Sequence, residues 1–324
     1  MIICSGTSRL VVIGGEYLPE PGPQRDDVLL SLMLGKPHGL GGEGSQANKV
    51  SVVTSDAQRD AFHFHFYQIV PQTGQMMDKM ECSNAAAAAG LFARLSRVAR
   101  PVAGESIIHT TNTATGQKIT LSIPAQEEMW KHPWGVRFNL EPEITREILG
   151  YAEPLEMTAG GHTIRYHLVP RGNLFVFCQI APDLMTTELS MEIARQASEV
   201  AVELGRARRP FLPKIIPYQI LDGTRVQAAS YFEGERHASM PGSASMALSL
   251  FLRLVRSQDL VGQSLEKPEF EVLFRDGSMR VRLGMNDGVA TYTEFDTPVR
   301  LLLHGAAPVP PGHSFMIEAP EGES

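Results

Sequence analysis

The feature that most restricts how this chain can fold is an order of elements that occurs twice. Lys49-Val50-Ser51-Val52-Val53 is a short, β-branched strand entered by a lysine. Further on, Cys82-Ser83-Asn84 opens an alanine-rich helical run, Ala85 to Ala89, that continues as Leu91-Phe92-Ala93-Arg94-Leu95. In the second half, Lys214-Ile215-Ile216-Pro217-Tyr218 again leads a lysine into an apolar strand. Pro241-Gly242-Ser243-Ala244 then opens a helix reading Leu250-Phe251-Leu252-Arg253-Leu254. The shared Leu-Phe-x-Arg-Leu pattern alone carries little weight. Lysine, strand and helix in the same order point to a duplicated lobe.

Around each helix the pattern is that of antiparallel sheet. Phe62-His63-Phe64-His65-Phe66 alternates strictly, which sends three phenylalanines to one face and two histidines to the other. Hairpins are expected at 107–123, at 163–180 around Pro170-Arg171-Gly172-Asn173, and at 270–283 around Arg275 to Ser278. A further helix, Thr187 to Leu204, carries Leu189, Ile193, Val200 and Leu204 at helical spacing. The fold class is therefore α+β, with two similar lobes, each a curved, mainly antiparallel sheet wrapped around a central helix. The lobes are expected at 1–153 and 154–305, with Glu153-Pro154 as linker and the second central helix at 242–258. The tail, 306–324, is free to return to the first lobe.

Composition narrows the function. A chain of 324 residues suits two domains, and 43% hydrophobic with 20% charged residues is ordinary for a globular protein. A net charge of -7 argues against nucleic acid as a partner. No run is long and apolar enough to expect a membrane span, and the start lacks a secretory pattern. Three scattered cysteines, Cys4, Cys82 and Cys178, make no disulfide framework and no zinc motif, so a cytoplasmic location is expected. A homodimer is compatible with all of this.

The residues suited to chemistry are few. Cys82 stands at the mouth of a helix, where free N–H groups favour a thiolate and hold anions; the bland alternative is a small core residue. Lys49 follows the glycine-rich Gly41 to Ser45, and a lysine drawn partly out of water can act as a base; an edge-strand lysine is the commoner fate. Gly242-Ser243, with His237 upstream, offers a second helix start for an anion. His63 and His65 lack a third ligand at suitable spacing and read as polar surface residues, so no metal is expected. Gly39 to Gly44 precedes a strand rather than opening a helix, which excludes a dinucleotide fingerprint.

These residues resemble the PrpF family, within the diaminopimelate epimerase-like superfamily. The likeness is carried by Gly6-Thr7-Ser8-Arg9, Leu18-Pro19 with Arg25-Asp26, Gly39-Leu40-Gly41-Gly42 with Ser45 and Lys49-Val50, and Cys82-Ser83-Asn84. Asn112-Thr113, Pro213-Lys214, His237 and Thr297-Pro298-Val299-Arg300 extend it over nearly the whole chain. The resemblance implies two lobes with the active site between them and no metal or organic cofactor. It also implies isomerisation of unsaturated acids such as 2-methylaconitate, methylitaconate or oxalomesaconate. The family's acid/base lysine and cysteine fall on Lys49 and Cys82. Its carboxylate-binding loops fall on Thr7, Ser8, Ser83, Asn84, Gly242 and Ser243, with Arg9 and His237 beside them.

The chain departs from the family at the substrate face. Arg9 stands for a lysine, Ser83 for a glycine, and Gln46-Ala47-Asn48 for a Ser/Thr-rich stretch. The expected function is thus a cofactor-independent double-bond isomerase working by acid/base catalysis. Its substrate is either an aconitate- or itaconate-type polycarboxylate or an unsaturated cyclic amino acid of antibiotic biosynthesis. An amino-acid epimerase and a non-catalytic ligand-binding member of the fold are the alternatives.

Overall fold

The structure is a computed structural model that describes the chain except Thr7 and residues 35–38, 43–44, 57–59, 72, 101–106, 126–130, 172, 207–212, 233, 258–267 and 306–324. The tail expected at 306–324 therefore lies outside the described residues. Contacts divide the chain into two compact units. The first holds Met1–Met80, Asn84–Gly116 and the C-terminal Val299–Ser324; the second holds Glu81–Ser83 and Gln117–Pro298. Glu153-Pro154 falls inside the second unit.

In the first unit the elements run β1 (Ile2–Ser5), β2 (Ser8–Gly14), α1 (Pro23–Leu34), β3 (Lys49–Ser55), β4 (Ala61–Val70), β5 (Gln75–Met77), α2 (Ser83–Leu95) and β6 (Ile107–Asn112). The antiparallel pair β1–β2 is flanked by the late segment Val299–Leu303. Strand β2 then runs parallel to β3, and β4 parallel to β6. Parallel neighbours need a crossover, which α1 and α2 supply. Strand β4 is the alternating segment: Phe62, Phe64 and Phe66 are buried, while Tyr67 and Ile69 join a core with Val11, Val50, Val52 and, from α1, Leu29 and Met33. The phenylalanine face therefore belongs to the side opposite α1. In α2, Ala85 to Ala89, Leu91 and Ala93 are all fully buried, as expected of a helix enclosed by its sheet.

The second unit contains β7 (Lys118–Ser122), β8 (Trp134–Asn139), α3 (Pro142–Leu149), β9 (Leu155–Ala159), β10 (His162–Pro170), β11 (Leu174–Cys178), α4 (Thr187–Glu203), β12 (Lys214–Ile220), β13 (Arg225–Ala228), β14 (Tyr231–Phe232), β15 (Glu235–Arg236), α5 (Gly242–Val255), β16 (Glu269–Phe274), β17 (Gly277–Asn286) and β18 (Val289–Thr297). Its strands pair in the order β7–β8–β18–β17–β16–β13–β12–β11–β10–β9. Val299–Leu303 is β19. Two tight turns carry positive φ at both central residues, Gly160-Gly161 and Asp287-Gly288, the conformation that closes a two-residue hairpin.

The duplication is plain in this topology. The order β2-α1-β3-β4-α2-β6 is repeated as β11-α4-β12-β13-α5-β16, with the same two parallel pairings. Lys49 pairs with Leu10 in one copy and Lys214 with Phe175 in the other. The Leu-Phe-x-Arg-Leu run starts at the same distance into each central helix, at Leu91 in α2 and Leu250 in α5. That alignment sets Ser83 opposite Gly242, and Cys82 opposite Pro241. Two helices went unread in the sequence, α1 and α3, although each begins with a proline in its first turn.

Burial also stores a pH dependence. His65 on β4 and His167 on β10 are both held below the usual histidine value, chiefly by burial; Asp78 opposes this at His65, and a backbone bond to the Tyr151 carbonyl opposes it at His167. A histidine kept neutral in the fold takes up its proton more readily once unfolded. The stability it contributes is complete above the unfolded value near ~6.5 and is lost as pH falls through the lower, folded value. The urea midpoint is expected to drop between pH 7 and 5, and to drop less in His167→Asn. Equal slopes for parent and variant would contradict the assignment.

Candidate active site

The first unit gathers three of the expected residues on one hydroxyl. Strand alternation separates Ser8, Leu10 and Val12 from Arg9, Val11 and Ile13, and Val11 packs with α1. Ser8 and Lys49 therefore share the face away from α1. Lys49 Nζ donates to Ser8 Oγ at 2.7 Å, and Asn84 Nδ2, from the first turn of α2, donates to the same oxygen at 3.1 Å. Ser8 and Asn84 are buried and Lys49 is half-buried. A hydroxyl that accepts two hydrogen bonds keeps its own proton for a third partner. Thr7 lies outside the described residues.

Arg9 is not part of this group. Its guanidinium, on the α1 face, donates to the carbonyls of Leu40 and Gly41 at 3.4 and 3.2 Å. The glycines there serve close packing. A Cβ on Gly41 would run into Asn48 Oδ1 and come within 2.7 Å of the Met33 carbonyl. Asn48, fully buried, takes the Gly42 N–H at 3.1 Å and donates back to the Gly42 carbonyl.

The second unit holds the rest. Before Gln117 the chain contributes only Glu81 to Ser83 to it, all buried, with Cys82 in the middle. Gly242, in the first turn of α5, lies against this segment: a Cβ there would sit 2.6 Å from Ser83 Oγ and collide with the Phe295 ring. The N-cap of α5, Pro241, supplies no side-chain hydrogen bond. Ser243 lines a cavity of about 20 Å3 with Glu81, Arg171, Met246 and Thr293, room for about one water. His237 follows β15, and its backbone N–H donates to the Ser230 carbonyl at 2.8 Å. Cys178 is fully enclosed, and burial pushes its thiol up to about 12. Gly242→Ala is expected to cost about 1–3 kcal/mol by overpacking, read as a lowered melting temperature. A variant as stable as the parent would mean that Ser83 and Phe295 yield freely.

His63 and His65 are engaged in local contacts. His63 Nε2 lies 2.8 Å from Asp56, and His65 Nδ1 is 2.9 Å from Thr113 Oγ1. Among the described residues no three His, Cys, Asp or Glu side chains are grouped to hold a metal ion. Nor is any described helix long and apolar enough to cross a membrane.

The family model described as PrpF protein matches residues 1–179, more than half of the chain. The chain belongs to the PrpF family. A 4-oxalomesaconate tautomerase from Pseudomonas putida is 25% identical over 180 residues, which take in 53% of this chain and 48% of that protein. The chain thus matches about half the length of this curated relative. Among solved structures, a methylitaconate-delta-isomerase superposes with a TM-score of 0.70 at 17% identity, covering 94% of this chain and 93% of that one. A probable proline racemase from Agrobacterium radiobacter gives 0.58 at 14% identity, covering 93% and 92%. The fold is that of the diaminopimelate epimerase-like proteins.

Within this PrpF member, several residues at the site escaped the sequence reading. Asn173 Nδ2 donates to the Glu81 carbonyl at 3.2 Å, and Arg171 Nη2 to Gln117 Oε1 at 2.8 Å. Burial pulls the Arg171 guanidinium down from its usual range, while Glu81 and Glu147 oppose this. Both residues sit in a turn whose composition announced the turn and nothing more.

Proposed function

We propose that this PrpF-family chain is an isomerase that moves a C=C bond in a small unsaturated carboxylic acid by allylic proton transfer, with Lys49 as base and Cys82 as acid. The observation that carries this is the bond from Lys49 Nζ to a buried Ser8 hydroxyl that Asn84 also holds. A neutral amine retains two N–H donors and one lone pair, so Lys49 can keep its bond to Ser8 and still take a proton. The C–H electrons left behind form the new double bond, and the old one delocalises its pair into the carboxylate as a dienolate. Cys82 returns a proton at the far allylic carbon. Exchange with solvent then resets both groups.

The dienolate needs preorganised donors. The Ser8 hydroxyl, which accepts from Lys49 and Asn84 and keeps its own proton, is suited to that task. The P. putida relative named for 4-oxalomesaconate and the isomerase named for methylitaconate favour a di- or tricarboxylate. An unsaturated cyclic amino acid of a secondary-metabolite pathway is the other substrate class. Inversion through two thiols is disfavoured, because the position matching Cys82 in the second copy is Pro241. The reaction proposed draws on the chain's own groups alone.

Proton NMR in deuterated water tests the reading. Oxalomesaconate, methylitaconate, aconitate and an unsaturated proline are each incubated with the full chain. A moving vinyl signal with deuterium entering the allylic position supports an isomerase. Binding without exchange for every acid would overturn it in favour of a ligand-binding protein.

A further inference from the structure

The carbonyls on the N-terminal side of Cys82 are both fixed by buried asparagines. In the first unit Asn112 Nδ2 donates to the Met80 carbonyl at 3.2 Å, and its own Oδ1 is held by the Ala114 N–H at 3.2 Å. In the second unit Asn173 Nδ2 donates to the Glu81 carbonyl at 3.2 Å. The Glu81 side chain is almost wholly buried and lies in the field of Arg171. Arg171 is tied in turn to Gln117, and its N–H donates to the Asn173 carbonyl at 2.7 Å. Asn173 thus grips the Glu81 backbone one residue ahead of the thiol, and Arg171 lines the same small cavity as Glu81.

We propose that Asn173, held in place by Arg171, is a positioning residue that fixes the backbone of Cys82 and so the direction of its thiol. This rests on Cys82 acting in proton transfer. The residue works through the Glu81 carbonyl and touches no substrate. Asn173→Asp preserves volume and removes the amide donor at neutral pH. Asn173→Ser is the second variant, small enough for the turn.

The test uses the full chain in a Cys4→Ser background, with Cys178 shielded by its burial. Two quantities are measured from pH 6 to 10: alkylation of Cys82 by iodoacetamide, and turnover of whichever unsaturated acid the parent accepts. Both variants are expected to change the Cys82 alkylation rate at least threefold and to alter its pH profile, with circular dichroism unchanged. The kcat should fall at least tenfold with KM within twofold, since substrate contacts are untouched. A folded variant whose alkylation profile matches the parent's overturns the proposal. If alkylation shifts but the parent turns over no acid, the positioning holds and the isomerase reading fails. If both variants unfold, Arg171→Lys is measured, which retains the charge but not the planar fork; a parental alkylation profile there also overturns it.

Discussion

Lys49→Ala is expected to slow allylic deuterium exchange by roughly 10²–10⁴-fold, the usual loss on removing a positioned acid or base. That corresponds to about 3–5 kcal/mol in the barrier. Cys82→Ala should fall as far. Lys49→Arg is the sharper variant, because it keeps N–H donors able to reach Ser8 yet does not release its proton at working pH. If Lys49 acts only by holding Ser8, arginine restores most of the rate. If it is the base, arginine is as inactive as alanine. Near-parental exchange in both alanine variants would remove the mechanism altogether.

The second large effect concerns α5. Phe251 is fully buried, its ring 5.1 Å from Phe177 and 4.7 Å from His167. Phe251→Ala removes this bridge between helix and sheet and leaves a cavity, at a cost of about 3–5 kcal/mol. The melting temperature should fall by roughly 6–20 °C. Leu184→Ala is the control: that side chain is 65% exposed, and its loss should change stability by less than about 0.5 kcal/mol. Similar losses in both would show that α5 is not the core element described.

Local patterns announced local structure well. The alternation in β4 placed its three phenylalanines on one buried face, and the turns after β10 and β16 were read from their composition. The two lysine-led strands lie in matching parallel pairs, as their repeated order implied. What stayed hidden depends on distant partners. Strand β8 pairs with β18 far along the chain, a choice that no local signal encodes. Helix α1 was missed because its polar first half dilutes the apolar positions Val28, Leu29 and Met33. Arg9 was placed with Ser8 because it stands for a lysine of the family's motif, yet neighbours on a strand face opposite ways. The bond from Asn173 to the Glu81 carbonyl belongs to tertiary structure alone.

The close approach of Gly242 to Ser83 bears on how this chain can change over generations. The two residues occupy the same rank in the two copies of the repeat and compete for one small volume. Where a relative has glycine at the first, the hydroxymethyl group vanishes and one of two obstacles to a side chain at the second goes with it. Substitutions at this pair should therefore arise together across the lineage, each enlargement answered by a reduction opposite.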